Sequence, residues 1–366
     1  IGEKIDKQVV KNILSDLEIS IIKEENGILS LSVPPYRVDV TREVDVIEEV
    51  LRIYGFNTVK IPNKLNSSII SIDRINSFKL KTVISNLLSS NGYNEIMNNS
   101  LTKEKYDGLD NDINLKNNIK ILNPLSADLN TLRRNLLFSG LETVEYNLNR
   151  KNNNIKFYEF GKSYLKDEAY IENQHLSLIV TGNRNLENWN SQNNKTDFFY
   201  LKEVVHLILN RLGLKNYKIE SKNNSLYSDC LQYNINNKTL VTFGLLDNKV
   251  TDLFNIKGSV YAADFNWDLI IDLSKNQKTT YTPVNKYPKV RRDLSLLINN
   301  EVNFSDLQKI AKKIDNNILK SVDLFDVYTG DKLAKNKKSY ALSFIFEDFS
   351  KTLTDKYIDI IMDKLI

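Results

Sequence analysis

The consecutive prolines Pro34 and Pro35 constrain the N-terminal part of this chain more strongly than any other feature. Proline fixes φ and lacks a backbone N–H group, so two in a row cannot continue a paired strand. They therefore end the run Ile28–Val33, in which apolar residues alternate as they do in a half-buried strand. A short acidic helix follows, and Gly55 stands where glycine accommodates the left-handed conformation that often ends a helix.

Three carboxylates share one face of this predicted helix. Asp45, Glu48 and Glu49 are spaced i, i+3 and i+4, and like charges at that spacing repel each other. A positive group is needed to offset the repulsion, and three are possible: a hard metal ion, a basic partner surface, or Arg52, four residues after Glu48. A solvated helix face, with Asp39 helping to cap the helix start, is the alternative that the residues leave open.

Composition limits the class of protein. With 366 residues, 41% hydrophobic and 10% aromatic content, the chain is expected to form two or three globular domains. No apolar run approaches the roughly 18 residues of a membrane span, so no membrane association is expected. The single Cys230 excludes internal disulfides and is typical of the reducing cytosol. A net charge of +4 permits an RNA partner without requiring one.

The usual catalytic motifs are missing from the sequence. The scattered glycines form neither a GxGxxG motif nor a P-loop. His175 and His206 lie far apart and only one cysteine is present, which excludes zinc sites of the His/Cys type. No Ser/His/Asp or Cys/His arrangement is evident. The chain is therefore expected to lack a self-contained active site.

Hydrophobic patterns divide the chain into three predicted domains. Residues 1–70 form a small α+β domain with a helix at Ile5–Leu17, and residues 62–68 are interpreted as a linker. Residues 71–275 form an α+β domain around an antiparallel sheet. Its predicted helices are Ile75–Asn91, Leu136–Leu148 and Leu201–Leu212, and its predicted strands are Asn94–Leu101, Ile119–Leu122, Ile155–Phe160, Leu176–Thr181, Leu231–Ile235, Leu240–Leu246 and Ser259–Phe265.

The last predicted domain, residues 280–366, follows the order strand, helix, strand, strand, helix. The elements are Arg292–Ile298, Phe304–Ile314, Val322–Tyr328, Lys338–Phe346 and Thr354–Leu365. This order predicts a ferredoxin-like or RRM-type fold, which is a common scaffold for RNA binding.

Three motifs, found in the same order, connect the chain to a known family. The first is Pro-Pro-Tyr-Arg-Val-Asp at 34–39, leading into the acidic helix. The second joins Asn-Pro-Leu-Ser at 123–126 to Leu-Arg-Arg-Asn-Leu-Leu at 132–137. The third joins Lys-Tyr-Pro-Lys-Val-Arg-Arg-Asp-Leu-Ser at 286–295 to Phe-Asp-Val-Tyr at 325–328. Through these motifs the chain resembles the β subunit of bacterial phenylalanyl-tRNA synthetase over essentially its whole length.

The resemblance implies a metal site and a division of labour between subunits. Asp39, Asp45, Glu48 and Glu49 match the family's magnesium-binding carboxylates, whose site is completed by the α subunit. Oxygen ligands suit such a hard cation. The middle domain resembles a class II synthetase core that has lost its catalytic signature. ATP and the amino acid would bind to the α subunit, so no catalytic residue is expected in this chain.

In the last domain the resemblance implies an anticodon-binding surface. Ser295, Asp326, Tyr328 and Ser339 would contact anticodon bases, since an aromatic ring can stack on an unpaired base and a carboxylate can accept from a base edge. Four basic residues would serve the RNA backbone or the structure: Arg291, Arg292, Lys337 and Lys338. The implied assembly is a cytosolic heterotetramer of two α and two β subunits that charges tRNA(Phe).

Four more residues of the middle domain stand out in the sequence. Arg133 and Arg134 are interpreted as surface charge at a helix start or as interface ion pairs rather than as catalytic groups. Trp189 is either an interface anchor or an ordinary packed loop residue. Glu203 stands where the family usually has glycine, which puts a tight backbone position in doubt.

Two other functions stay open. The chain could be a freestanding RNA-binding protein or a scaffold that has lost RNA binding. Its near-neutral charge argues against the first, and the Phe-Asp-Val-Tyr motif at 325–328 argues against the second. The missing initiator Met favours a trimmed piece of a longer subunit, without that subunit's N-terminal and editing domains.

Overall fold

The computed structural model describes residues 1–61, 64, 77–190, 192–275, 277, 280–315, 317–330 and 333–365. The chain divides into two compact units, Ile1–Arg74 and Ile75–Ile366. The linker predicted at 62–68 lies outside the described residues apart from Lys64, and so does the predicted helix start at Ile75.

The first unit contains α1 (Lys7–Asp16), β1 (Ser20–Glu25), β2 (Ile28–Ser32) and α2 (Glu43–Tyr54). The two strands form an antiparallel hairpin, and Asn26 and Gly27 of its loop both have positive φ. Asn-Gly is a preferred sequence for this type of turn, so it could have revealed β1, which alternation alone did not. Gly55 ends α2 with a φ of +96°, as predicted.

A seven-stranded sheet organises the central part of the second unit. The elements there are α3 (Ser77–Ser90), β3 (Asn94–Glu95), β4 (Leu101–Thr102), β5 (Thr131–Leu132), α4 (Leu137–Leu148), β6 (Ile155–Lys166), β7 (Tyr170–Thr181), α5 (Phe198–Arg211), β8 (Lys218–Ser221), β9 (Tyr227–Ile235), β10 (Lys238–Leu246), α6 (Asn248–Asp252), β11 (Val260–Asn266) and α7 (Trp267–Ser274). The strand order is β3-β6-β7-β11-β10-β9-β8. Neighbours run antiparallel apart from β3 and β6, so the predicted fold class is confirmed.

Helices cover both faces of this sheet. On one face Leu88 of α3, Val205 of α5 and Trp267 of α7 are fully buried. On the other face Leu141 of α4 and Val250 of α6 pack among strand residues. Burial of apolar side chains on both faces supplies the main stabilisation of this part of the chain.

Several predicted elements of the central part differ from the structure. The strand predicted at Asn94–Leu101 is interrupted, because only Asn94–Glu95 and Leu101–Thr102 are paired. No strand forms at Ile119–Leu122, where Lys120 makes a single bridge to Thr131. The strand Lys218–Ser221 and the helix Trp267–Ser274 were not predicted. Glu203 is exposed on a regular helix, which accommodates its side chain.

The last part of the chain contains β12 (Val290–Asn299), α8 (Phe304–Ile314), β13 (Leu319–Tyr328), β14 (Lys337–Phe346) and α9 (Asp355–Leu365). The strands form an antiparallel sheet in the order β12-β14-β13, and the predicted element order is confirmed. Ala311 of α8 and Ile358 of α9 are buried against one sheet face with Leu342 and Phe344. No helix among the described residues is long and apolar enough to span a membrane.

Candidate functional site

The four predicted anticodon-binding residues lie on the open face of the three-stranded sheet, which is the face not covered by α8 and α9. Ser295 on β12 and Asp326 on β13 both pair with Ala341 of the central strand β14. Tyr328 pairs with Ser339 in the next row. Residues that pair directly across a sheet project from the same face. The structure therefore brings these four side chains together on the face opposite α8 and α9.

Tyr328 lies beside the glycine of the turn that follows β13. The side chain is 44% exposed at the end of β13, where it remains accessible to a flat ligand. A β-carbon on Gly330 would lie 2.5 Å from the Tyr328 hydroxyl oxygen, so only glycine allows the ring to lie this close to the chain. The turn after β13 therefore leaves room for the ring.

Sequence reasoning missed an exposed aromatic residue on this face. A register shift between Leu324 and Asp326 inserts Phe325 as an extra residue, which is a β-bulge. Phe325 is 54% exposed, and the Arg291 guanidinium lies 5.1 Å from the centre of its ring. The signal was present in the Phe-Asp-Val-Tyr motif, but strict alternation would turn Phe325 away from Asp326.

The four predicted basic residues separate into two pairs. On the open face Arg291 bonds to Asp293 at 2.8 Å, and Lys337 is exposed without an ion pair among the described residues. Arg292 instead bonds to Asp355 on α9. Lys338 donates to the Asn300 carbonyl at 2.8 Å. The first pair can reach a ligand on the open face, whereas the second pair holds the domain together.

In the first unit Asp45 caps its own helix. Its carboxylate accepts from the backbone amides of Thr41 at 3.1 Å and Arg42 at 2.8 Å. The Arg42 guanidinium also donates to it at 2.9 Å. The hydrogen bond from Arg42 is the largest of several contacts that lower the pKa of Asp45 to about 2. The cap is thus formed by Asp45, and Asp39 takes no part in it.

Glu49 is occupied by two arginines. The residue is 6% exposed, and its two oxygens accept from Arg37 at 3.0 Å and from Arg52 at 2.5 Å. The expectation that Arg52 offsets Glu48 is therefore wrong. The arginine pairs with Glu49 at i, i+3, because Glu49 faces the loop that carries Arg37 and Glu48 faces solvent.

The four predicted metal ligands do not form a metal site as arranged. Asp39 and Glu48 are exposed and make no ion pair among the described residues, while Asp45 and Glu49 are satisfied by arginines. The described part of the chain contains no group of three or more potential metal-ligating side chains. The donor set therefore does not fit magnesium without rearrangement of the arginines.

Arg133 is buried, which corrects its interpretation as surface charge. It is 4% exposed, and its guanidinium donates to Glu159 at 2.7 Å and to the Lys162 carbonyl at 2.9 Å. A β-carbon on Gly161 would lie 2.3 Å from the Arg133 guanidinium, so glycine makes room for it. Arg134 remains near the surface and donates to the Asn118 side chain at 3.0 Å.

The sheet also brings Ser163, His175 and Asp264 into a Ser/His/Asp arrangement that the sequence did not suggest. The His175 ring lies 2.8 Å from the Ser163 hydroxyl oxygen and 2.9 Å from an Asp264 carboxylate oxygen. Burial alone would lower the pKa of His175, but the carboxylates of Asp264 and Asp268 together raise it. Ser163 is 4% exposed, so a substrate cannot reach its hydroxyl group. These three side chains form a polar network whose serine is closed to a substrate.

Comparison with known proteins identifies the family. Three family profiles match: a tRNA synthetase B5 domain at 1–56, the phenylalanyl-tRNA synthetase beta chain CLM domain at 61–267, and a ferredoxin-fold anticodon binding domain at 285–366. The chain belongs to the phenylalanyl-tRNA synthetase beta chain family. The exposed sheet face described above lies in the anticodon-binding match.

Relatives agree with this assignment. The phenylalanine–tRNA ligase beta subunit of Bacteroides fragilis strain YCH46 is 43% identical over the whole chain, which covers 46% of that relative. The corresponding Porphyromonas gingivalis subunit is 39% identical at the same coverage. The chain thus spans about half the length of the curated relatives it matches.

A pyrrolysyl-tRNA synthetase of Desulfitobacterium hafniense shows a weak structural likeness, with a TM-score of 0.43 and 14% identity over 74% of this chain and 89% of that one. The likeness is too distant to carry an argument.

Trp189 is 96% exposed, so the interpretation as a packed loop residue is wrong. An exposed tryptophan is free to anchor a partner, and the role of interface anchor stays a prediction.

Proposed function

We propose that this chain is a non-catalytic part of a phenylalanine–tRNA ligase beta subunit that binds the anticodon of tRNA(Phe). The observation that carries the proposal is the open sheet face, on which Ser295, Asp326, Tyr328 and Ser339 project together. These side chains come from three strands, and the sheet fixes their spacing before RNA arrives. Preorganised groups lose less conformational freedom on binding than mobile ones.

The chemistry of this face suits unpaired bases. Stacking of a base on Tyr328 would contribute about 1–3 kcal/mol. Asp326 can accept from an amino group on a base edge, while Ser295 and Ser339 can donate or accept. Lys337 and Arg291 lie on the same face and would neutralise phosphates. The structural roles of Arg292 and Lys338 exclude them from this part of the proposal.

The remaining parts of the proposal concern the complex. The chain would consist of domains at 1–70, 71–275 and 280–366. The α subunit would bind ATP and phenylalanine, a second β subunit would complete the assembly, and the complex would act in the cytoplasm. Magnesium would be used with ATP. Of the four predicted ligands, only Asp39 and Glu48 are exposed and without an ion pair among the described residues, so their part in a metal site depends on ligands from the partner.

A binding titration tests the anticodon assignment. Labelled tRNA(Phe) would be titrated at near-physiological salt with the wild-type chain, with and without the α subunit. Tyr328→Ala is expected to weaken binding by the complex at least tenfold, about 1.4 kcal/mol. The matched control is Tyr357→Ala, since Tyr357 is 43% exposed but lies on α9. Equal effects of the two substitutions, or tight binding of unrelated RNAs without the α subunit, would contradict the proposal.

A further inference from the structure

A row of polar side chains crosses the middle of the seven-stranded sheet on the face that packs against α4. Pairing aligns Glu159, Ser177, Asp264, Thr242 and Gln232, which lie on β6, β7, β11, β10 and β9 in that order. Paired residues share a face, so the five side chains stand next to one another. The centre of a sheet is usually apolar, and a polar row there calls for an explanation.

A small cavity lies over this row. Its volume is about 170 Å³, and its floor includes Ser177, Asp264 and Gln232. Asp110, Asn135 and Tyr227 contribute to its walls. A cavity of about 150 Å³ holds a benzene molecule, so this one admits a ligand of roughly six or seven non-hydrogen atoms.

Three polar groups around the cavity lack hydrogen-bond partners. Ser177 is 5% exposed and Tyr227 is 9% exposed, and neither hydroxyl group has a partner among the described residues. Of the three groups, only the Asn135 amide nitrogen is itself sealed from solvent, and it has no partner either. Buried polar groups are nearly always hydrogen-bonded in native proteins. Three donors around one cavity are therefore available to the acceptor oxygens of a ligand.

The same cavity is lined by three carboxylates, Asp110, Asp112 and Asp264, and by one cation, Lys222. Lys222 pairs with Asp112 at 2.9 Å, which leaves Asp110 without an ion pair in the described part of the chain. Burial raises the pKa of Asp110. Both carboxylate oxygens of Asp264 lie near the His175 Nδ1 atom, at 2.9 and 3.1 Å, and the Asp264 side chain keeps 41% exposure. A ligand cation in the cavity would be attracted by both carboxylates, and it would offset the cost of burying Asp110.

We propose that this cavity binds a small free α-amino acid of the size of glycine, alanine or serine. The ligand ammonium group is held by Asp110 and Asp264. The ligand carboxylate accepts from Asn135, Ser177 and Tyr227. The volume excludes an aromatic side chain, so the site is distinct from any phenylalanine site of the complex. It gives the beta subunit a small-molecule site that does not depend on its role in tRNA binding.

Ligand-observed saturation-transfer NMR on the wild-type chain tests this proposal directly. L-Alanine is expected to bind saturably, whereas N-acetyl-L-alanine, which lacks the ammonium group, and L-phenylalanine, which is too large, are expected not to bind. Absence of saturable binding by both glycine and L-alanine would overturn the proposal. Equal binding of N-acetyl-L-alanine would also overturn it, because the carboxylates would then have no role.

Substitutions of residues that line the cavity test whether the amino acid binds there. Asp110→Asn is expected to weaken L-alanine binding at least tenfold, and Ser177→Ala several-fold. Asp229→Asn is the control, because Asp229 is exposed on β9 and does not line the cavity. Unchanged affinity in Asp110→Asn would show that the amino acid binds elsewhere and would refute the assignment. Circular dichroism of each variant separates loss of binding from loss of folding.

Discussion

The acidic helix α2 and the open face of the three-stranded sheet differ in whether their predicted site residues lie together and free of ion pairs. Both carry four polar residues that the family resemblance marks as a site. On the sheet all four project together toward solvent, whereas around the helix two of the four carboxylates are bound by arginines. Strand alternation settles which side chains share a face. Helix spacing places charges side by side but does not say which cations from neighbouring loops will reach them.

Polar groups that are buried and paired (closed groups) should therefore respond to substitution differently from exposed, unpaired ones (open groups). The buried pair of Arg133 and Glu159 is an example of closed groups. Arg133→Met leaves the Glu159 carboxylate buried at 2% exposure without its cation. We expect a loss of about 3–5 kcal/mol in the free energy of unfolding, measured by urea denaturation. A loss below about 1 kcal/mol would mean that water reaches Glu159 and that the pair is not closed.

Adjacent carboxylates on α2 test the comparison within one helix. Glu49→Ala removes the partner of Arg37 and Arg52 and is expected to cost about 2 kcal/mol, since charged hydrogen bonds are lost. Glu48→Ala is the matched control, because Glu48 is exposed and unpaired in the described part of the chain, and should change stability by less than about 0.5 kcal/mol. Similar losses for both variants would remove the distinction between closed and open carboxylates.

On the open face, substitution should affect binding and leave stability unchanged. Phe325→Ala removes an exposed ring beside Asp326 and Tyr328, and we expect tRNA(Phe) binding by the complex to weaken about fivefold, near 1 kcal/mol. The urea midpoint should stay within error of the wild type, since the ring is 54% exposed. A destabilised variant with unchanged RNA affinity would place Phe325 among the structural residues.

The smallest effect is expected from Asp45, which is a helix cap at the protein surface. Its folded-state pKa of about 2 lies below the ordinary value of 3.8, so its charge stabilises the fold above about pH 4. That contribution is lost as the pH falls through about 2. The stability difference between wild type and Asp45→Asn should therefore be present at pH 7 and shrink at pH 2.5. A constant difference across this range would assign the effect to altered capping geometry alone.

Much of the fold could be predicted because local patterns determine it. The helix Phe304–Ile314 and the strands on either side of it follow from periodicity. Ser295 and Tyr328 were named by the family resemblance, and the pairing of their strands with β14 places them on one face. The bulge at Phe325 could not be predicted in this way, because one inserted residue changes alternation without changing composition.

The polar networks could not be predicted, because their members lie far apart in the chain. His175 meets Asp264, which is 89 residues away, only because β7 pairs with β11 in one register. Likewise Arg37 reaches Glu49 from a loop whose path no local pattern fixes. Residue types alone gave no signal for either contact. Only strand register and tertiary packing determine them.

The bulge at Phe325 changes how closely functional side chains can be spaced along one face of β13. A regular strand shows one side chain in two to each face, so neighbouring contacts along it stand almost 7 Å apart. The extra residue lets an aromatic ring and a carboxylate, Phe325 and Asp326, occupy consecutive positions on one face. Deleting a single residue there would restore regular pairing and force one of these two side chains toward the helices. The number of residues in β13 thus sets the distance between the aromatic ring of Phe325 and the carboxylate of Asp326.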